Sequence, residues 1–504
     1  MISNSIDHRL KFQQLFWFSL IALAAIASGY FLAANVWLMA FGFTGFLWLL
    51  LLPYHSILSV YLSVATFSSA LIVPLFPGRP YMWEFAALLG WSGLIITISM
   101  RKYAPNFNRE TKENRWLFVG LIAYVAVLVI TMFYRGVGLR ILGSDQMGGR
   151  FYFQQLTCAI FPWLFIMSRL DEKLLLRLYI LQCLFTVTYL ISDFVLSVAP
   201  EGMFFLLQFF ELSGDAVNFE MQASRFGIRR FQSLYIVSSG LFCLTLIMFS
   251  LRDFFSRKAL FLIPALIGIL GLGLLSGHRY LAIIVVGVFV FCAYAQRFFA
   301  MHNIFAGGAT LVLVLFCLYG FADRMPLAVQ RALSVLPALS IDKQAKQDGD
   351  ATFETRRMLR KIGMDLIPQY FWTGRGFGLA TTDYSWQWDP STITTHVNQG
   401  RFFNGFIGLM VNTGIFGTAA MIVFLAAGTV LAWRILSFLR LYGCEDYFSR
   451  MCAVVSGLWI ANAFAFLFLH GDSEYAMKTF SLQAGMLLAC HVQLRARLES
   501  PALG

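Results

Sequence analysis

The run FNGFIGLMVNTGIFGTAAMIVFLAAGTVLAW (residues 403–433) carries no charged side chain over 31 residues. An α-helix needs about 20 apolar residues to cross the roughly 30 Å hydrocarbon layer of a bilayer. This run exceeds that length, and it is not alone. Of the 504 residues, 59% are hydrophobic, 16% aromatic and only 13% charged. A soluble domain averages about 25% charged residues, so this chain has too few to cover a water-facing surface. The reading is an all-α polytopic integral membrane protein. The apolar runs are too long and too repeated for a signal peptide.

About fourteen spans satisfy the hydropathy-window criterion. They lie near 14–32, 35–53, 56–75, 81–100, 116–134, 151–168, 174–194, 231–250, 259–276, 280–299, 303–321, 403–433, 451–469 and 476–495. Lys and Arg concentrate in RKYAPNFNRETKENR (101–115), SRLDEKLLLR, LRDFFSRK, WRILSFLRLYGCEDYFSR and the tail HVQLRARLES. These fall on one side with the N-terminal DHRLKFQQ, and the positive-inside bias makes that side cytoplasmic, with both termini inside. The net charge of +12 follows from this bias, and no basic tract has the form that grips nucleic acid. The eight Cys carry no CxxC and read as small packing residues.

The chain divides into an N-terminal bundle (1–321), a large loop (322–402) on the extracytoplasmic side, and C-terminal spans with a tail (403–504). A structureless loop that long is uncommon in a compact protein. DATFETRRMLRKIGMDLIPQYF (350–371) reads as a helix, with Thr355 as a cap, and TGRGFG then ends it. No internal repeat or pair of broken helices appears, which weakens a transporter or flippase reading.

Several polar groups gather on the extracytoplasmic side. Arg279 follows the tight turn Ser276-Gly277, which aims it back into the protein; the plainer alternative is a snorkelling helix end. Arg356, Arg357, Arg360 and Lys361 fall within about two helical turns. A planar guanidinium matches phosphate oxygens in a fork, and the alternative is attachment to anionic headgroups. Arg225, Arg229 and Arg230 precede a span, as a third cationic group or as ordinary flanking charge. THVNQGRFFNG (395–405) brings His396, Asn398, Arg401 and Asn404 to a membrane boundary, where polar groups are costly. His396 can accept a proton at neutral pH, and Asp472 and Glu474 in HGDSEY are alternative bases. DGD (348–350) has metal-binding spacing but reads as a turn, and GRGFG (374–378) lacks the residues of a phosphate loop, so no metal or cofactor is assigned.

The order of these motifs resembles the O-antigen ligase and polysaccharide polymerase superfamily of bacterial membrane glycosyltransferases. Arg279 matches its Ser-x-Arg-like turn, Arg356 its loop-helix arginine, Gly374, Gly376 and Gly378 its glycine turn. Asn404, Gly414 and Gly417 match its last motif. The family's His directly precedes the Asn; here Phe403 stands there, and His396 lies seven residues earlier. Pairing His396 with Asn398 is the second alignment. The resemblance implies a C-type glycosyltransferase fold and metal-independent inverting transfer. The donor would be an undecaprenyl-diphosphate-linked glycan and the acceptor a sugar hydroxyl on a saccharide or lipid core. On that basis Arg279, Arg356 and His396 are catalytic. Arg225, Arg230, Arg357, Arg360, Arg401 and Asn404 bind substrate. The location is the bacterial inner membrane, with membrane lipids and envelope polysaccharide-assembly proteins as partners. Polymerase, ligase and protein O-oligosaccharyltransferase remain open, as do a flippase of lipid-linked sugars and a scaffold subunit.

Overall fold

The structure is a computed structural model. It describes residues 18–19, 21–27, 29–30, 36–74, 80–99, 107–137, 149–168, 170–197, 201–211, 228, 231, 233–299, 307–309, 312, 315–316, 318–377 and 392–499. The expected spans near 14–32 and 303–321 lie partly outside these residues, and Arg225, Arg229, Arg230 and Gly378 lie wholly outside them.

The described chain is helical. In order it forms α1 (Val36–Leu50), α2 (His55–Thr66), α3 (Met82–Ser99), α4 (Phe107–Glu113), α5 (Arg115–Arg135) and α6 (Gly149–Cys158). Then come α7 (Phe161–Met167), α8 (Glu172–Phe185), α9 (Tyr189–Ser197), α10 (Leu234–Met248), α11 (Ala259–Leu274) and α12 (Tyr280–Ala295). The last are α13 (Leu327–Leu333), α14 (Lys343–Tyr370), α15 (Thr392–Asn398), α16 (Gly405–Tyr442), α17 (Tyr447–Phe464) and α18 (Ala476–Glu499).

Among the described residues, five helical segments are long and apolar enough to cross a membrane: Met82–Ser99, Arg115–Arg135, Glu172–Val195, Gly405–Tyr442 and Tyr447–Leu469. The pair around Pro53 is bent by 62° and makes at most a sixth, while α10, α11 and α12 are shorter apolar helices. Outward-facing Leu260, Phe261 and Ile267 on α11 are largely exposed, as a face toward lipid tails requires.

The core lies around α5, α16, α17 and α18. Gly120 lets α5 approach the α16 backbone: an added Cβ would stand 2.5 Å from the Phe424 nitrogen. Trp459 of α17 fills the centre, edge-on to Phe424 at 5.8 Å and to Phe480 of α18 at 5.3 Å. At one end of the bundle, ion pairs tie the tail of α18 to its neighbours. Arg497 meets Glu172 at 2.5 Å and Asp446 at 3.0 Å, and Arg495 meets Glu113 at 2.5 Å. A cleft of about 390 Å³ lined by Asp171, Glu172, Lys173 and Arg497 belongs to this end.

The other end holds the folded loop, and here four expectations change. The loop helix begins at Lys343, not near 350, because Asp342 caps it by accepting from the Gln344 amide at 2.7 Å. Thr355 is therefore no cap; its hydroxyl bonds back to the Ala351 carbonyl at 2.9 Å. DGD is not a turn but lies inside α14, where Asp348 is neutralised by Arg331 and Gly349 packs against Ser334. The uninterrupted span expected over 403–433 instead runs to Tyr442 and is broken at Gly414, whose φ is +66°.

The break is where the glycine turn docks. The Arg375 amide donates to the Val411 carbonyl at 2.7 Å, Gly376 to Asn412 at 2.8 Å, and Ile415 to Phe371 at 2.7 Å. Backbone groups freed by the kink are thus satisfied by the loop, as buried irregular backbone requires.

Candidate functional site

Arg279 stands where α11 turns into α12. The Ser276 hydroxyl donates to the Gly273 carbonyl at 2.6 Å, and Gly277 takes a φ of +69°. The turn directs the Arg279 side chain under the loop domain. Its Nη2 donates to Ser334 Oγ at 2.6 Å and to the Arg331 carbonyl at 3.3 Å, and its guanidinium lies 4.2 Å from the Phe353 ring centroid. Arg331, which the sequence does not single out, locks this turn from α13. It pairs with Asp348 and donates to the Gly277 carbonyl at 2.8 Å and to Thr352 at 2.9 Å. Burial, with Arg331 and Arg356 nearby, lowers the Arg279 pKa to about 10, which leaves it a cation at neutral pH.

One turn beyond Phe353, Arg356 places its guanidinium 5.3 Å from the centroid of Phe403. Phe403 is a hub. The His396 ring meets it edge-on at 5.0 Å, and His470 stacks on it at 5.6 Å with planes 16° apart. Its φ of +50° is unusual for a non-glycine residue, and such strain persists only where surrounding contacts over-determine it. Arg360 holds the hub from behind, donating to the Leu469 carbonyl at 2.5 Å and to the Phe403 carbonyl at 3.3 Å. Arg357 faces outward and is exposed.

His396 lies on α15, and Arg375 fastens that helix by donating to the Val397 carbonyl at 2.6 Å and to the Asn398 carbonyl. Burial first, then Arg401 and Arg356, lowers the His396 pKa to about 4, against the pull of Asp472. Arg401 faces inward: its Nε meets Glu474 at 2.9 Å and its Nη2 donates to the Tyr475 hydroxyl at 2.7 Å. Glu474 is fully enclosed, and burial and Asp472 push its carboxyl up to about 8 despite Arg401. Asn404 caps α16, its Oδ1 accepting from the Ile407 amide at 3.0 Å.

The loop 470–475 closes the site. Gly408 lets it lie directly on α16; a Cβ there would stand 2.8 Å from Ser473 Oγ. Asn412 ties it down, donating to Ser473 Oγ at 2.9 Å and to the Gly400 carbonyl at 3.1 Å. Within this region Arg279 Nε, Arg360 Nε, His396 Nδ1, His470 Nδ1, Asn412 Oδ1, Asp472 Oδ1 and Glu474 Oε2 are buried without a hydrogen-bond partner. Native interiors rarely leave such atoms unpaired, and their clustering here gives this region spare hydrogen-bonding capacity.

Of the sequence candidates, Arg279, Arg356, Arg360, His396, Arg401 and Asn404 thus converge on one region, while Arg357 points away. Arg331, Phe403 and His470 were missed. Arg331 belongs to no motif, and the roles of both Arg331 and Phe403 arise from contacts between residues 47 to 67 apart in sequence. A separate buried pair, Glu84 and Arg150, joins α3 to α6, with Gln154 donating to Glu84 at 3.1 Å. Fold and site together define an all-α protein with helices suited to span a membrane and an Arg- and His-lined polar site beside its loop domain. No family model matches the chain, and no curated protein matches it.

Proposed function

We propose that the protein transfers a glycan from an undecaprenyl-diphosphate-type lipid donor to a sugar hydroxyl, as a bacterial polysaccharide polymerase or O-antigen ligase. The reading places about fourteen spans in the inner membrane, the loop domain outside and both termini inside. The observation that supports it best is the convergence on Phe403. Arg356 lies over that ring, His396 at its edge, and Arg279 within electrostatic reach of Arg356.

This arrangement suits the chemistry. The acceptor oxygen attacks the anomeric carbon, the bond from that carbon to the diphosphate oxygen breaks, and negative charge grows on the leaving diphosphate. Arg279 and Arg356 are fixed cations able to stabilise it, in a site where burial strengthens electrostatics. A base beside the acceptor removes its proton, a contribution of about 10²–10⁴-fold. The long loop inclines us toward polymerase, with lipopolysaccharide or exopolysaccharide as the product.

The test is glycan elongation by the purified protein in lipid nanodiscs with a lipid-diphosphate saccharide. Arg279→Ala and Arg356→Ala are each expected to lower turnover by about 10²-fold or more, the usual cost of a lost charge-stabilising group. Retained turnover in both would sink the clamp. Lipid flipping without bond formation would favour a transporter.

A further inference from the structure

Resting on that reading, the next question is which group takes the hydroxyl proton. Asp472 is the most informative residue of the 470–475 loop. It occupies the N-cap position of the short turn Ser473–Tyr475 yet makes no side-chain cap bond. Asp171, Asp342 and Asp446, at the same position of α8, α14 and α17, all accept a cap N–H. Capping is the ordinary use of such an Asp. Here the carboxylate is turned elsewhere, and its Oδ1 is buried without a partner.

Its surroundings show where it is turned. Asp472 lies between His470, which stacks on Phe403, and Glu474, which pairs with Arg401. His396 Nδ1 and His470 Nδ1 are likewise buried and unpartnered, and both rings are fixed against Phe403, the ring under Arg356. Glu474 is fully enclosed and its Oε1 pairs with Arg401, whereas Asp472 is only half-buried and has no ion-pair partner among the described residues. The segment on either side is held: the Leu469 carbonyl by Arg360, the Ser473 hydroxyl by Asn412, and the Asp472 carbonyl by the Tyr475 amide at 3.1 Å.

We infer that Asp472 is the proton acceptor for the incoming hydroxyl, and that His396, at the edge of Phe403, and His470, on its face, hold that hydroxyl's oxygen. The hydroxyl proton passes to the Asp472 carboxylate. The freed electron pair forms the bond to the anomeric carbon, and the pair of the broken bond leaves on the diphosphate. The depressed basicity of His396 fits a role in binding rather than proton abstraction.

The experiment uses full-length protein in nanodiscs and the lipid-diphosphate saccharide as donor, with donor binding and transfer measured separately. Asp472→Asn keeps the shape of the side chain and is expected to lower kcat about 10²-fold or more, with donor affinity unchanged. Asp472→Ala is expected to recover part of its turnover with added formate, which a merely structural role would not produce. His396→Ala is expected to raise the acceptor KM more than it lowers kcat. Active wild type together with Asp472→Asn turnover within threefold of it overturns the assignment. A loss in Asp472→Ala that formate leaves untouched does the same. Wild type that neither binds the donor nor transfers from it overturns the glycosyl-transfer reading itself.

Discussion

His396 shows how little a residue's type fixes its chemistry. In the sequence it is a histidine with an ordinary pKa near 6.5, able to act as a base at pH 7. Folded, it lies beside Phe403 with two arginines near, and its pKa falls to about 4. Between those values the unfolded chain binds a proton that the folded chain refuses. Stability from this site therefore rises with pH across about 4 to 6.5 and is lost on acidification. Glu474, pushed up to about 8, has the opposite sign and loses stability as pH rises from about 4.5. The comparison must therefore be made against a variant that removes only His396. Moving from pH 7 to pH 5, His396→Gln should lose less stability than wild type, by up to about 2 kcal/mol. Equal losses in thermal melts at the two pH values would refute this. At the same scale, Arg279 was legible because Ser276-Gly277 announces a turn. Phe403 was not, since nothing local says that an aromatic residue will take a left-handed conformation to hold three others.

At the scale of elements, the loop helix was legible and its start was not. Gly349 between two aspartates imitates a turn, but Asp348 is needed inside α14 to neutralise Arg331, and Asp342 supplies the cap instead. The break in α16 was hidden for a different reason. Residues 403–433 contain no proline or charge, and glycines are common in membrane helices. Only the docked turn distinguishes Gly414 from its neighbours. A Cβ there would stand 2.6 Å from the Trp372 carbonyl oxygen, on a residue with φ of +66°. Gly374 faces it across the contact, with an added Cβ 2.4 Å from the Asn412 carbonyl oxygen. Gly414→Ala should therefore cost about 1–3 kcal/mol from backbone strain and displace the turn 374–377. That turn carries Arg375, which fastens the helix of His396. The variant should thus show faster proteolysis in the loop and reduced turnover. Gly268 of α11 has no positive φ and open space around an added Cβ, so Gly268→Ala serves as the comparison; an equal effect from both would mean that the break has no special role.

For the whole molecule, composition alone fixed the class, because so few charges cannot cover a soluble surface of this size. It could not say which distant charges meet inside. Glu84 and Arg150 are the clearest instance: both are almost fully buried, they pair directly, and they join α3 to α6. Nearby, Tyr81 donates to Glu211 at 2.6 Å, and Lys478 of α18 stands 5.2 Å from the Tyr81 ring centroid. Segments far apart in sequence therefore meet beside this pair, and the neighbouring Phe151 of α6 packs edge-on against Tyr475 at 5.6 Å. Desolvating two charges offsets much of their attraction, so such a pair contributes little net stability, but removing one partner leaves the other buried and uncompensated. Glu84→Gln should destabilise the protein by about 3–5 kcal/mol, while Glu84→Gln combined with Arg150→Met should cost much less than Glu84→Gln alone. Thermal unfolding of the two variants and of Arg150→Met decides it. A double variant no more stable than Glu84→Gln would mean that the pair itself, rather than the stranded arginine, holds α3 against α6. The predicted recovery would instead show that α3 and α6 are held together by their apolar packing, and that the ion pair serves to keep each charge from being buried alone.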